Sequence, residues 1–142
     1  MNTAFGSSDI GLQSLTVALR DLHKNLVQVV KAERENALMT HIDAGQLLQL
    51  LTKDPHFDWL HELSEYMARL DELLDANDIS QEEQREILSQ ANALIMPAEG
   101  NESAFYRRYV SYLQHHPDLT MAHANVRRII VALSPDSQGS TP

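Results

Sequence analysis

Leu12, Leu15, Leu19, Leu22, Leu26 and Val29 recur at steps of 3-4-3-4-3, the interval that lays side chains along one face of an α-helix. This seam predicts a first helix from about Asp9 to about Leu38, with Ser8 or Asp9 as its cap. A loop from Thr40 to Gly45 follows. Leu47, Leu48, Leu50 and Leu51 then make the short segment Gln46 to Thr52 apolar nearly all round, so a buried short helix is expected. Asp54 and Pro55 suit the cap and first position of a helix running to about Ala76. Its apolar face holds Phe57, Trp59, Leu60, Leu63, Tyr66, Met67, Leu70, Leu73 and Leu74, with Trp59 and Leu63 expected inside. Asp58, Glu62, Glu65, Asp71, Glu72 and Asp75 make the opposite face acidic.

Ser80 and Glu83 have the spacing of a capping box, and Ile87, Leu88, Ala91, Leu94 and Ile95 mark the helix behind it. Asn101 or Ser103 starts a further helix with Phe105, Tyr109, Tyr112 and Leu113 inward. Pro117 ends that helix and begins the last one, where Leu119, Ala122, Val126, Ile129 or Ile130, and Leu133 again step by three or four. The pattern predicts an all-α, up-down, single-domain bundle of five main helices plus one short buried helix. The bundle covers residues 9–133, with a flexible N-terminus over 1–8 and a disordered Ser, Gly and Pro tail over 134–142. There is no alternating strand pattern and no internal repeat.

The first helix, at roughly 30 residues and about 45 Å, is longer than a bundle of this size strictly needs. Leu12, Leu15, Leu19 and Leu22 therefore serve either the bundle interior or a two-fold homodimer, the commonest symmetric assembly.

Composition narrows the function classes. The 142 residues include no cysteine, which excludes disulfides, thiolate nucleophiles, Fe–S clusters and cysteine-held zinc. The N-terminus lacks the pattern of a secretory signal, and no apolar run is long enough for a membrane span, so a cytoplasmic location is expected. The formal net charge of −9 is unevenly placed. Between Asp54 and Glu86 eleven acids face two bases, whereas Ser103 to Leu133 holds four arginines and one acid. A net acidic chain is poorly suited to nucleic acid, whose affinity comes from neutralising phosphates.

Two stretches carry a resemblance. Leu47 to Leu74 reads LLQLLTKDPHFDWLHELSEYMARLDELL, and Phe105 to Ile130 reads FYRRYVSYLQHHPDLTMAHANVRRII. Together they resemble a family of small, uncharacterised all-helical bacterial proteins, mostly proteobacterial. The resemblance covers about 80% of the chain and implies a helical fold in a bacterial setting. It supplies no activity, cofactor or site residue.

No constellation for catalysis stands out. Glu-x-x-His, the di-iron bundle motif, is absent; Asp58-x-x-His61 comes nearest and occurs once. His61-Glu62-Leu63-Ser64-Glu65 lacks the second histidine of the zinc-protease motif. Neither a Gly-x-Ser-x-Gly elbow nor a glycine-rich phosphate loop is present, so no catalytic residue, metal ligand or cofactor is assigned. His23 lies at the margin of the leucine seam. His115 and His116 sit where imidazoles meet the free carbonyls of a helix end.

Arg107, Arg108 and Arg127 with His123 form a candidate anion-binding set, since arginine grips carboxylate and phosphate with two parallel hydrogen bonds. The plainer alternative pairs these arginines with Asp118, Glu102 or the acidic helix. Two functions remain open. One is a non-catalytic interaction or regulatory protein whose acidic face, with Asp58, Glu62, Glu65 and Glu72, docks a basic protein surface. The other is a small-anion-binding protein or enzyme built on the arginine set.

Overall fold

The computed structural model describes residues 3–76 and 78–134, with side chains described from Gly11 onward apart from His56. It is an all-α helical bundle, with no strand among the described residues. The helices are α1 (Thr3–Leu38), α2 (Ala44–Lys53), α3 (His61–Ala76), α4 (Gln81–Ile95), α5 (Ala104–Leu113) and α6 (Pro117–Leu133). A 3₁₀ turn, Pro55–Leu60, joins α2 to α3.

Helix α1 is the spine. Gly11 near its start meets Leu133 at the end of α6, while Tyr112, just before α6 begins, reaches Glu33. Helix α6 therefore runs antiparallel to α1. So does α3, because Arg20, His23 and Arg34 of α1 meet Asp71, Ser64 and Asp54 in reverse order. Helices α4 and α5 close the bundle against α6.

The leucine seam serves the interior. Leu12, Leu15, Leu19, Leu22 and Leu26 are each 0% exposed within one chain, against Leu63, Tyr66 and Leu70 of α3 and Leu119, Val126 and Ile130 of α6 in one continuous core. Of the two alternatives for Leu12, Leu15, Leu19 and Leu22, these contacts are those of the bundle interior, with α3 and α6 covering that face. Backbone helix begins at Thr3, ahead of the expected Ser8 or Asp9 cap. Extending an existing helix adds a hydrogen bond for each residue fixed, whereas starting one is costly. Of the expected terminal segments, residues 1, 2 and 135–142 lie outside the described residues.

The short helix α2 is present but is not buried. A capping box between Asp43 and Gln46 fixes its start, and successive residues turn by about 100°. Leu47, Leu50 and Leu51 consequently lean on the core, while Leu48 is left 65% exposed. Pro55 opens a 3₁₀ turn rather than α3, with Phe57 N–H donating to the Asp54 carbonyl at 2.9 Å. That tighter turn sets Trp59 on the rim, half-buried rather than inside, whereas Phe57, Leu60 and Leu63 are buried as expected.

The other start signals act as they read. Ser80 and Glu83 form the capping box of α4, Ser103 caps α5, and Pro117 occupies the first turn of α6. At the end of α1, Thr40 N–H donates to the Glu35 carbonyl and Met39 N–H to that of Asn36, a Schellman closure. Met39 takes the left-handed position, φ 54°, where glycine is usual and a side chain costs roughly 1–2 kcal/mol. The Glu35 carboxylate secures the following loop by accepting from Ile42 N–H at 2.8 Å.

Candidate functional site

A cavity of about 580 Å³ opens where the C-terminal part of α1 faces the junction of α5 and α6. Glu33 and Arg34 supply the α1 wall; Arg108 and Tyr112 supply the α5 wall, and His115 and His116 close one end. Arg108 and Tyr112 are four residues apart, so they share one face of α5. Trp59, presented by the 3₁₀ turn, lies flat against Tyr112 with ring centroids 5.6 Å apart and planes 2° from parallel. The Arg108 guanidinium sits over the same indole, 5.5 Å from its centroid. Phe105 backs the indole from the core at 5.6 Å.

Tyr112 donates its hydroxyl to Glu33 Oε1 at 2.6 Å, tying α5 to α1. Burial and the Glu33 carboxylate push this phenol up to about 12, against the opposing pull of Arg108. It stays protonated and remains a donor at neutral pH. Arg34 reaches Asp54 at 3.6 Å, and its buried Nε has no hydrogen-bond partner among the described residues; the indole Nε1 of Trp59 is in the same condition.

The expected arginine and histidine set is divided. Arg108 lines the cavity, whereas Arg107, His123 and Arg127 lie outside it. His123 Nδ1 lies 2.6 Å from the Tyr109 hydroxyl, inside the contact between α5 and α6. Burial, then the nearby Arg127, lowers the pKa of His123, and burial raises that of Tyr109. With the imidazole neutral and its proton on Nε2, the hydroxyl donates to Nδ1. Arg107 and Arg127 are exposed. His115 and His116 do not cap α5 through their rings. Thr120 takes that role, its hydroxyl donating to the Leu113 carbonyl at 2.7 Å and facing that of His116 at 3.2 Å. His23 is half-buried as a boundary residue, with Nε2 3.3 Å from Ser64 Oγ.

Burial also lowers the pKa of His23. For His23 and His123 the unfolded chain, with imidazoles near 6.5, takes up protons before the folded chain does. The stability these neutral rings contribute is complete above about pH 6.5 and is lost progressively as pH falls below it. Urea midpoints between about pH 7.5 and 5.5 are expected to decline on the acid side, less steeply in a His23→Gln/His123→Gln double variant. Equal slopes in the two proteins would contradict this account.

The acidic face is formed as expected. Asp58, Glu62, Glu65 and Glu72 are exposed, and none has an ion-pair partner among the described residues. Arg69 interrupts this stripe, its guanidinium 5.8 Å from the Tyr66 ring centroid. Beside the stripe, between α3 and α4, lies a cavity of about 380 Å³ edged by Glu72, Glu83 and Glu86 with Leu73 and Ile87 at its apolar side. Among the described residues no group of three or more histidine, aspartate and glutamate side chains converges as for a metal ion.

Sequence reasoning missed Glu33, Arg34 and the Trp59–Tyr112 plate. Arg34 and Glu33 lie near the end of a long helix with no apolar signal of their own. Glu33 and Tyr112 are 79 residues apart, so no local spacing announces their meeting. In comparisons with known proteins, the chain matches no family model, no curated protein and no solved structure.

Proposed function

We propose that this protein is a non-catalytic interaction or regulatory bundle that docks a partner of basic surface on its acidic face. The observation carrying this reading is that Asp58, Glu62, Glu65 and Glu72 lie exposed along one stripe without ion-pair partners among the described residues. Burial of Leu63, Tyr66 and Leu70 on the opposite side orients that stripe outward. The groove edged by Glu72 and Glu86 adds apolar surface from Leu73 and Ile87 beside the charge. A basic amphipathic segment matches both features: cations meet the carboxylates while its apolar side covers the groove. The same partner class follows from the uneven charge, since eleven acids and two bases fall between Asp54 and Glu86.

Exposed charges of this kind act mainly on encounter. They are screened over about 8–10 Å near physiological ionic strength, so association should slow as salt rises. The test replaces Glu62, Glu65 and Glu72 with lysine, which leaves the apolar face intact. Proteins captured from native lysate at low salt are expected to be lost by the variant while its melting temperature holds. An unchanged set of captured proteins would mean that the carboxylates only confer solubility, which a large net charge does unaided.

A further inference from the structure

We propose that the cavity between α1 and the α5–α6 junction binds a small organic or inorganic oxyanion, a carboxylate or phosphate, through Arg108. This site is independent of the acidic docking face. Its volume, about 580 Å³, falls within the range that holds a small metabolite. Two guanidiniums, Arg34 and Arg108, line it against one carboxylate, Glu33, with the imidazoles of His115 and His116 at its end.

Three features make Arg108 the recognition group. Its guanidinium rests on the Trp59 ring, which limits the side chain's freedom and reduces the ordering cost of binding. A side-chain partner of Arg108 on the cavity wall is Tyr112, an uncharged phenol that leaves the guanidinium its charge. The guanidinium also offers the flat, two-pronged donor edge that matches an oxyanion, which an ammonium does not. Arg34 is the weaker contributor, because Asp54 already engages it at 3.6 Å.

Glu33 shapes the choice of ligand. Its carboxylate accepts from Tyr112 at 2.6 Å, so it holds the wall in place while repelling anions from its own side. The oxyanion consequently sits on the Arg108 guanidinium, on the side away from the Glu33 oxygens. The remaining volume beside Tyr112 and Ala37 takes the ligand's uncharged part.

Trp59 is the only tryptophan in the chain and lies directly under Arg108, so its emission reports on the site. The full-length protein would be titrated with inorganic phosphate and, separately, with succinate, at constant ionic strength kept with sodium chloride. Emission and calorimetry would be read together. A saturable response to at least one probe is expected, weakened by about tenfold or more in Arg108→Gln, since a charged hydrogen bond contributes on that scale. Arg128→Gln, on the exposed side of α6 where its guanidinium bonds Asn125, should leave the response unchanged. Which probe binds separates phosphate from carboxylate recognition. Should Arg108→Gln fail to fold, Arg108→Lys keeps the charge without the two-pronged edge and is expected to weaken binding likewise. Absence of saturation with both probes, or full affinity in the Arg108 variants, overturns the proposal.

Discussion

Leu63→Ala is expected to lower the unfolding free energy by about 2–5 kcal/mol, the range found for emptying a well-packed leucine site. Leu63 is 0% exposed and shares the inner face of α3 with Tyr66 and Leu70, against the leucine seam of α1. Tyr66 pins the far side of this site, its buried hydroxyl donating to the Ile87 carbonyl at 2.8 Å. That tie limits how far α3 can settle into a vacated space, so the upper half of the range is expected. Glu62→Ala, next to it on the exposed face, should change stability by no more than about 0.5 kcal/mol. Urea unfolding of the pair gives the comparison. Similar losses for both would mean that helix propensity, rather than burial, dominates α3.

Phe105→Ala carries the second large effect, about 3–5 kcal/mol, as for other buried aromatic truncations. Phe105 is 0% exposed and joins two systems. It meets Trp59 at 5.6 Å and Tyr109 at 5.2 Å, so its loss opens a void behind the cavity wall as well as inside the core. Total stability of an ordinary domain is only about 5–15 kcal/mol, which makes this substitution a severe one. A near-ultraviolet circular dichroism change from the loosened Trp59 should accompany the fall in denaturation midpoint. A stability loss with an unaltered Trp59 signal would show that Phe105 supports the core alone and not the Arg108–Trp59–Tyr112 plate.

Helix existence was legible because its causes are local. The seam from Leu12 to Leu26, the Ser80 and Glu83 box, and Pro117 at the start of α6 each act within a few residues of themselves. The acidic stripe was legible for the same reason, since a helix with one buried face must expose the other. The short helix was misjudged because counting leucines ignores direction: Leu48 falls off the face that Leu47, Leu50 and Leu51 share. Trp59 was misplaced because a 3₁₀ turn, not an α-helix, carries it to the rim.

The candidate anion set shows the limit most clearly. Arg107, Arg108, His123 and Arg127 are close along two neighbouring helices, but helical rotation sends Arg108 toward α1 and Trp59 and sets His123 against Tyr109. Sequence by itself determined the helix class, most helix boundaries, the buried face of each main helix and the uneven charge, because periodicity, capping and composition operate at short range. Only the tertiary structure decided that α3 and α6 fill the α1 seam. It alone joined Glu33 to Tyr112 and laid Arg108 on Trp59, because those contacts depend on how separate helices cross, and local periodicity carries no record of that.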